Sequence, residues 1–162
     1  MDEIGELPHE SQVKLLRVLQ EKTFEPLGSS RTLKSDVRVI SATNKDLQTM
    51  VSQGAFREDL YYRINLINIH LPSLRERKED IPLLVKHFTK STCRAYAIDE
   101  PMIHKETMQW LSNQPYPGNI RQLKNMVERT VLLNMNEGEL TIKTFQEFSN
   151  ITTTATQISL PE

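Results

Sequence analysis

A chain of 162 residues with 38% hydrophobic and 25% charged side chains holds enough apolar material for one domain or two small ones, and too much for a disordered polymer. Twenty basic against twenty-one acidic side chains leave a formal charge of −1, so no global basic field invites nucleic acid and any such contact must be local. No apolar run approaches the roughly 20 residues of a membrane helix, and the acidic start MDEIGELPHE is unlike a signal peptide.

These features, with a single cysteine, predict a chain of the reducing cytoplasm without membrane contact. Cys93 has no partner for a disulfide or a metal site and is expected to pack inside a helix. Met1 runs at once into DEIGELP with no preceding strand or cap, the opening expected of a piece of a longer sequence. Val13, Leu15, Leu16 and Leu19 recur at helical spacing and predict an amphipathic helix over Glu10 to Glu21, entered through Pro8. The Gly- and Ser-containing stretch FEPLGSSRTLKSD suits a surface loop or hairpin.

The β-branched run Val37 to Ala42 predicts a buried strand that ends in Thr43-Asn44, at the strand end where ligands bind in open α/β sheets. Lys45 to Gly54 predicts a short helix stopped by Gly54, and Phe56 to Arg63 a compact charged one. Leu66 to Leu71 predicts a second strand, closed by Pro72. The charge run Leu74 to Asp80 reads as a solvated connector of residues 74–80.

Beyond it the pattern is helical. Ile81, Leu84, Val85 and Phe88 mark a long helix with Glu79 and Asp80 at its positively polarised start. His104 to Gln114 predicts a short helix, broken by Pro115-Tyr116-Pro117-Gly118, after which Asn119 is placed to cap a helix carrying Ile120, Leu123, Val127 and Val131. A last short helix is expected within Glu139 to Phe148, and residues 149–162 carry no periodicity. The four histidines show no metal spacing, and Trp110, Tyr61 and Tyr62 are expected to pack. The predicted organisation is a partial α/β unit over residues 1–73, the connector, and an all-helical unit over 81–148.

DEIGELP, RVLQE, DVRVISATNKDL, GAFREDLYYRI, LPSLRERKEDIP and YPGNIRQLKN occur in this order. Together they resemble the AAA+ domain of bacterial sigma-54-dependent transcription activators, over roughly Asp2 to Leu133. The resemblance implies a fold class: an α/β AAA+ subdomain of P-loop type, truncated so that its P-loop strand is lacking, followed by an all-helical lid. It also implies that Asp2 and Glu3 are the Walker B pair. One carboxylate would hold Mg²⁺ through water and the other would polarise the attacking water; outside this context the same dipeptide reads as two exposed charges.

Asn44 takes the first sensor position, with a helix N-cap as the alternative. Arg57 and Arg63 match the arginine fingers that reach a neighbouring subunit's nucleotide, where a planar, permanent charge stabilises the transferring phosphoryl group. The alternative for each is pairing with Glu58 or Asp59 at the surface. Arg121 matches the second sensor; a cation at a helix start wants an anion beside it. Asn119 and Gln122 read as scaffold.

The implied ligands are ATP and Mg²⁺. The implied partners are the sigma-54 RNA polymerase holoenzyme and further copies of the chain in a hexameric or heptameric ring, with DNA met only through a domain not contained in these residues. No G-x-x-x-x-G-K-[ST] and no GAFTGA occurs, and the five glycines are scattered. The chain alone is therefore expected to turn over no ATP. The same residues also admit a catalytically inactive module that joins activator rings, or an AAA+ protein outside transcription.

Overall fold

The computed structural model describes residues 1–147. They divide into two compact units, Met1–His70 and Leu71 onward.

The first unit is built on α1 (His9–Glu21), whose first turn holds Glu10 and whose chain reverses at Lys22 in the left-handed region. Its inward face carries Gln12, Leu15, Leu16 and Leu19, whereas Val13, expected on that face, is exposed. The loop-or-hairpin expectation resolves as a hairpin: β1 (Thr23–Phe24) pairs antiparallel with β2 (Leu33–Lys34). Gly28 at its tip takes φ 77°, a conformation that side-chain-bearing residues avoid.

α2 (Leu47–Ser52) follows, and Gly54 after it takes φ 71°. Its cap is Asp46, not Asn44: the Asp46 carboxylate accepts the Gln48 and Thr49 N–H groups at 3.0 and 3.2 Å and the Thr49 hydroxyl at 2.8 Å. Those bonds, the Thr49 hydroxyl first, hold the Asp46 carboxyl below its ordinary value. A depressed pKa means that the cap contributes above the ordinary carboxylate range and is lost as pH falls through the depressed value. Asp46→Asn, which retains a capping oxygen, is therefore expected to make α2 less acid-sensitive, as read by amide exchange of residues 47–52. Identical acid profiles for the two proteins would refute this.

α3 (Glu58–Ile64) packs on α1 and α2. The core of this unit is small: Ile4, Leu16, Phe56 and Leu60 are buried, with a rim of half-buried residues.

Two expectations fail here. Neither 37–42 nor 66–71 is a strand. Val37, Ile40, Leu66, Ile67 and Ile69 are two-thirds to four-fifths exposed instead of buried. A β-branched run favours the extended conformation but needs backbone partners to become a strand. Residues 40–42 find one in residues 1–4, too briefly for a ladder; 66–71 finds none among the described residues. Tyr62, expected to pack, is likewise exposed and touches Tyr61 edge-on.

The second unit is helical. α4 (Ile81–Tyr96) and α6 (Asn119–Leu133) form its spine, with α5 (Lys105–Ser112) against α4. β3 (Met102–Ile103) pairs parallel with β4 (Glu139–Leu140), and residues 142–147 are helical, within the segment Glu139 to Phe148 expected to hold a last short helix. Phe148 and the expected tail 149–162 lie outside the described residues.

Eleven buried residues form this core, among them Ile81, Val85, Leu111, Leu123, Val127 and Phe145, against four in the first unit. Cys93 is buried as expected, and burial, the largest cause, raises its thiol pKa. The charge run keeps its charged residues exposed or half-buried, as a solvated connector would, but it is structured and anchored through Leu74. Leu74–Glu76 and Lys78–Asp80 are tight 3₁₀ turns, Leu74 is fully buried in the helical core, and Ser73 and Glu76 close a capping box. Leu74 is the one apolar side chain in an otherwise charged run, and its burial docks the run on the helices.

Candidate functional site

Three main-chain bonds assemble one end of the first unit. The Met1 nitrogen donates to the Ile40 carbonyl at 2.7 Å, the Ala42 N–H to the Met1 carbonyl at 2.9 Å, and the Ile4 N–H to the Ala42 carbonyl at 3.0 Å. The first two bonds are one rung of a parallel pairing. The third carries the contact round a bend at Glu3, which sits at φ 52°. Asp2-Glu3 and Thr43-Asn44 thus leave neighbouring backbone segments at the same end.

Gly5 permits this approach. A Cβ there would lie 2.9 Å from the Thr43 hydroxyl oxygen and 3.2 Å from Lys45 Cδ. The Thr43 hydroxyl accepts the Lys45 N–H at 3.1 Å, and Lys45 Nζ pairs with Glu6 at 2.9 Å across the two segments.

Asp2, Glu3 and Asn44 are exposed, and among the described residues the only side-chain bond they make is Asp2 Oδ1 accepting the Glu3 N–H at 3.0 Å. Exposed hard-oxygen carboxylates and an unpaired amide on neighbouring segments fit a hydrated Mg²⁺ and a phosphate oxygen, because Mg²⁺ binds through one or two carboxylates and keeps its waters. No cluster of three or more metal-ligating side chains occurs among the described residues. A phosphate cradle is not encoded in these 162 residues.

The two arginines are held differently. Arg57 sits at the start of α3 and forks onto Asp59: Nε to Oδ1 at 2.9 Å, and a terminal nitrogen to Oδ2 at 2.5 Å. Asp59 Oδ1 also accepts the Leu60 N–H at 2.8 Å. The hydrogen bond to Arg57, the largest cause, lowers the Asp59 pKa, and the same bond raises that of Arg57. This is the surface pairing weighed above as the alternative for Arg57.

Arg63, in the last turn of α3, instead donates to the Leu19 carbonyl near the end of α1 at 3.0 Å, satisfying an acceptor the helix leaves open. The guanidinium groups therefore point to different elements and do not converge. Both bonds are exposed, and surface bonds of this kind exchange at little cost.

A residue that sequence reasoning missed positions Arg57. Gln12 is 1% exposed; its amide donates to the Leu7 and Ala55 carbonyls at 2.9 and 3.2 Å, and its oxygen accepts the Arg57 N–H at 2.9 Å. One buried side chain thereby ties α1, the loop before it and the entry to α3. The only signal in the sequence was a polar residue one turn before Leu16 on the apolar face of α1.

In the second unit Arg121 lies in the first turn of α6, exposed and without an ion pair or hydrogen bond among the described residues. Its surroundings are fixed firmly. Asn119 does not cap α6; it is the first helical residue, at φ 55°, and its side-chain oxygen accepts the Leu74 N–H at 2.8 Å. Gln122 accepts the Gly118 N–H at 2.8 Å, closing the helix start. Buried Tyr116 donates to the Leu111 carbonyl at 2.8 Å, and burial raises its pKa. The result is a free cation on a rigid, positively polarised helix end, an arrangement that favours an anion.

The two units together have the fold of the AAA+ class. Residues 1–70 match the Sigma-54 interaction domain and residues 75–158 the AAA+ ATPase lid domain, and the chain belongs to this sigma-54 interaction family. It is 55% identical over 133 residues to the formate hydrogenlyase transcriptional activator FhlA of Escherichia coli (strain K12), a match covering 82% of this chain and 19% of the relative. It is 50% identical over 134 residues to the regulatory protein AtoC of the same organism, covering 83% and 29%.

The crystal structure of NtrX from Brucella abortus in complex with ATP superposes with a TM-score of 0.83 at 38% identity, covering 88% of this chain and 34% of that one. The complex with ADP gives 0.82 at 38% identity, covering 89% and 34%. The chain thus spans about a fifth to a third of the length of these proteins. The fold is the expected one, an α/β AAA+ subdomain in truncated form followed by a helical lid. No helix among the described residues is long and apolar enough to cross a membrane.

Proposed function

We propose that this chain is the second part of the ATPase domain of a cytoplasmic sigma-54-dependent transcription activator, which couples ATP hydrolysis to remodelling of sigma-54 RNA polymerase. The observation that supports this best is the pairing of residues 1–4 with 40–42, which brings the segment of Asp2 and Glu3 alongside the one that leads into Asn44. Asp2 holds the hydrated metal, Glu3 accepts a proton from the attacking water, and Asn44 donates to that water or to the terminal phosphate. When bound, Mg²⁺ supplies charge neutralisation on the phosphate oxygens. Arg121 binds phosphate from the lid, while Arg57 and Arg63 act on the nucleotide of the adjacent subunit in a hexameric or heptameric ring. The phosphate cradle comes from sequence outside these residues.

The test is a chimera in which this chain replaces the 133 matching residues of the Escherichia coli relative. The chimera is expected to hydrolyse ATP and support transcription from a sigma-54 promoter, and Asp2→Asn and Glu3→Gln are each expected to abolish turnover. The 162-residue chain alone is expected to release no phosphate. Hydrolysis by the chimera that survives both substitutions would sink the assignment.

A further inference from the structure

The helical unit carries a groove that the nucleotide chemistry does not use. A cleft of about 500 Å³ lies between α4 and the segment from Glu100 through β3 into α5, and a second of about 350 Å³ adjoins it; both are bordered by Met108. Leu83, Pro101, Ile103 and Met108 give the wider cleft an apolar lining, and Leu83 is 71% exposed, an unusual position for a large aliphatic side chain beside a cavity.

Cations border both clefts. Lys86 and Lys90 stand one helical turn apart on α4, and Lys105 lines the second cleft. All three are exposed, and none makes an ion pair or hydrogen bond among the described residues. Glu100 is the one acid on the lining, and it too is unpaired, so the cations outnumber it three to one.

Thr89 adds a polar atom. Thr92, Ser112 and Thr130 return their hydroxyls to the carbonyl four residues back, at 2.8, 2.9 and 2.9 Å. Thr89, which borders the same cleft, is 1% exposed and its hydroxyl has no partner. An unsatisfied buried hydroxyl is costly, and a ligand that supplied its missing bond would recover that cost.

We propose that this α4–α5 groove docks an acidic amphipathic peptide segment of a partner protein. Large apolar side chains fill the clefts and carboxylates meet Lys86, Lys90 and Lys105. Two adjoining clefts side by side suit the spaced anchors of a helix better than a single small molecule. An apolar lining with an exposed leucine is a poor match for nucleic acid, which is held mainly through its phosphates.

The test uses a displayed library of helical peptides with Leu or Met at i, i+3 and i+7 and Glu or Lys at random elsewhere, selected on the 162-residue chain. Selection is expected to enrich Glu. Lys86→Glu with Lys90→Glu should weaken the selected peptides by about tenfold or more, with an unchanged circular-dichroism melt, and should itself enrich Lys. Thr89→Val is expected to raise the melting temperature while weakening the same peptides by roughly threefold. No enrichment, equal enrichment of Glu and Lys, loss of selectivity without dependence on Lys86 and Lys90, or lysine-dependent binding of single-stranded DNA alone would each overturn the proposal.

Discussion

Arg63→Ala in the chimeric activator is expected to cut ATP turnover by ~10³ or more, about 4 kcal/mol of barrier, without unfolding the protein. The alternative role of Arg63 is structural. In the isolated chain its guanidinium closes the Leu19 carbonyl, one exposed hydrogen bond. Such a bond contributes about 1 kcal/mol to stability, and its loss leaves turnover by the folded protein nearly unchanged. The two roles therefore separate by measurement. Steady-state turnover at saturating ATP reads the finger, and a thermal melt reads the bond.

Arg57 needs a second control, because its pairing with Asp59 would explain its presence without any catalytic role. Arg57→Ala is expected to lower turnover while Asp59→Asn, which frees the guanidinium, leaves it intact. Equal losses from the two substitutions would assign Arg57 to the ion pair and remove it from the proposed mechanism. Mixing Arg63→Ala subunits with subunits that carry Asp2→Asn should recover part of the activity, since each then supplies what its neighbour lacks. Recovery would not occur if Arg63 served its own subunit.

Gln12→Leu is the other substitution with a large expected effect, this time on stability. The replacement keeps the volume but removes three part-buried hydrogen bonds, those to the Arg57 N–H and to the carbonyls of Leu7 and Ala55. A hydrogen bond contributes about 1 kcal/mol net, so the loss of three gives an expected total of about 3 kcal/mol. The first unit has only four buried residues in its core and exposes Val37, Ile40, Leu66, Ile67 and Ile69, so a loss of this size is expected to unfold it.

The second unit, whose apolar core holds eleven buried residues among those described, should remain folded. Native-state hydrogen exchange of the 162-residue chain reads both outcomes: amides of residues 1–70 lose protection and those of 71–147 keep theirs. Even before substitution, residues 1–70 are expected to exchange faster. Equal protection of the two units in the unsubstituted chain, or an unaffected first unit in Gln12→Leu, would refute the energetic reading.

Much of the fold was legible in the residues. α1, α4, α5 and α6 fall within a few residues of the periodic runs that predict them, because helical periodicity is local and each run carries its own burial face. The family was legible for a different reason: six ordered motifs outweigh any single one, and the family matches over residues 1–70 and 75–158 bear it out. The sequence by itself also determined which chemical groups are available, namely two adjacent carboxylates, an amide after a β-branched run, and arginines in charged helices.

Tertiary structure decided what those groups do in the folded chain. Val37 to Ala42 and Leu66 to Leu71 read as strands, yet a strand requires partners distant in sequence, and only residues 1–4 meet one of them. Asp46 took the cap weighed as the alternative role of Asn44, because capping depends on where the first helical turn falls and not on the presence of an amide. Leu74 turned a charged connector into part of a core, and Gln12 became a buried hub. In each case the deciding energy is the burial or satisfaction of a group by residues far along the chain. Local pattern cannot carry that information, since hydrogen-bond partners and buried area exist only once the chain has folded.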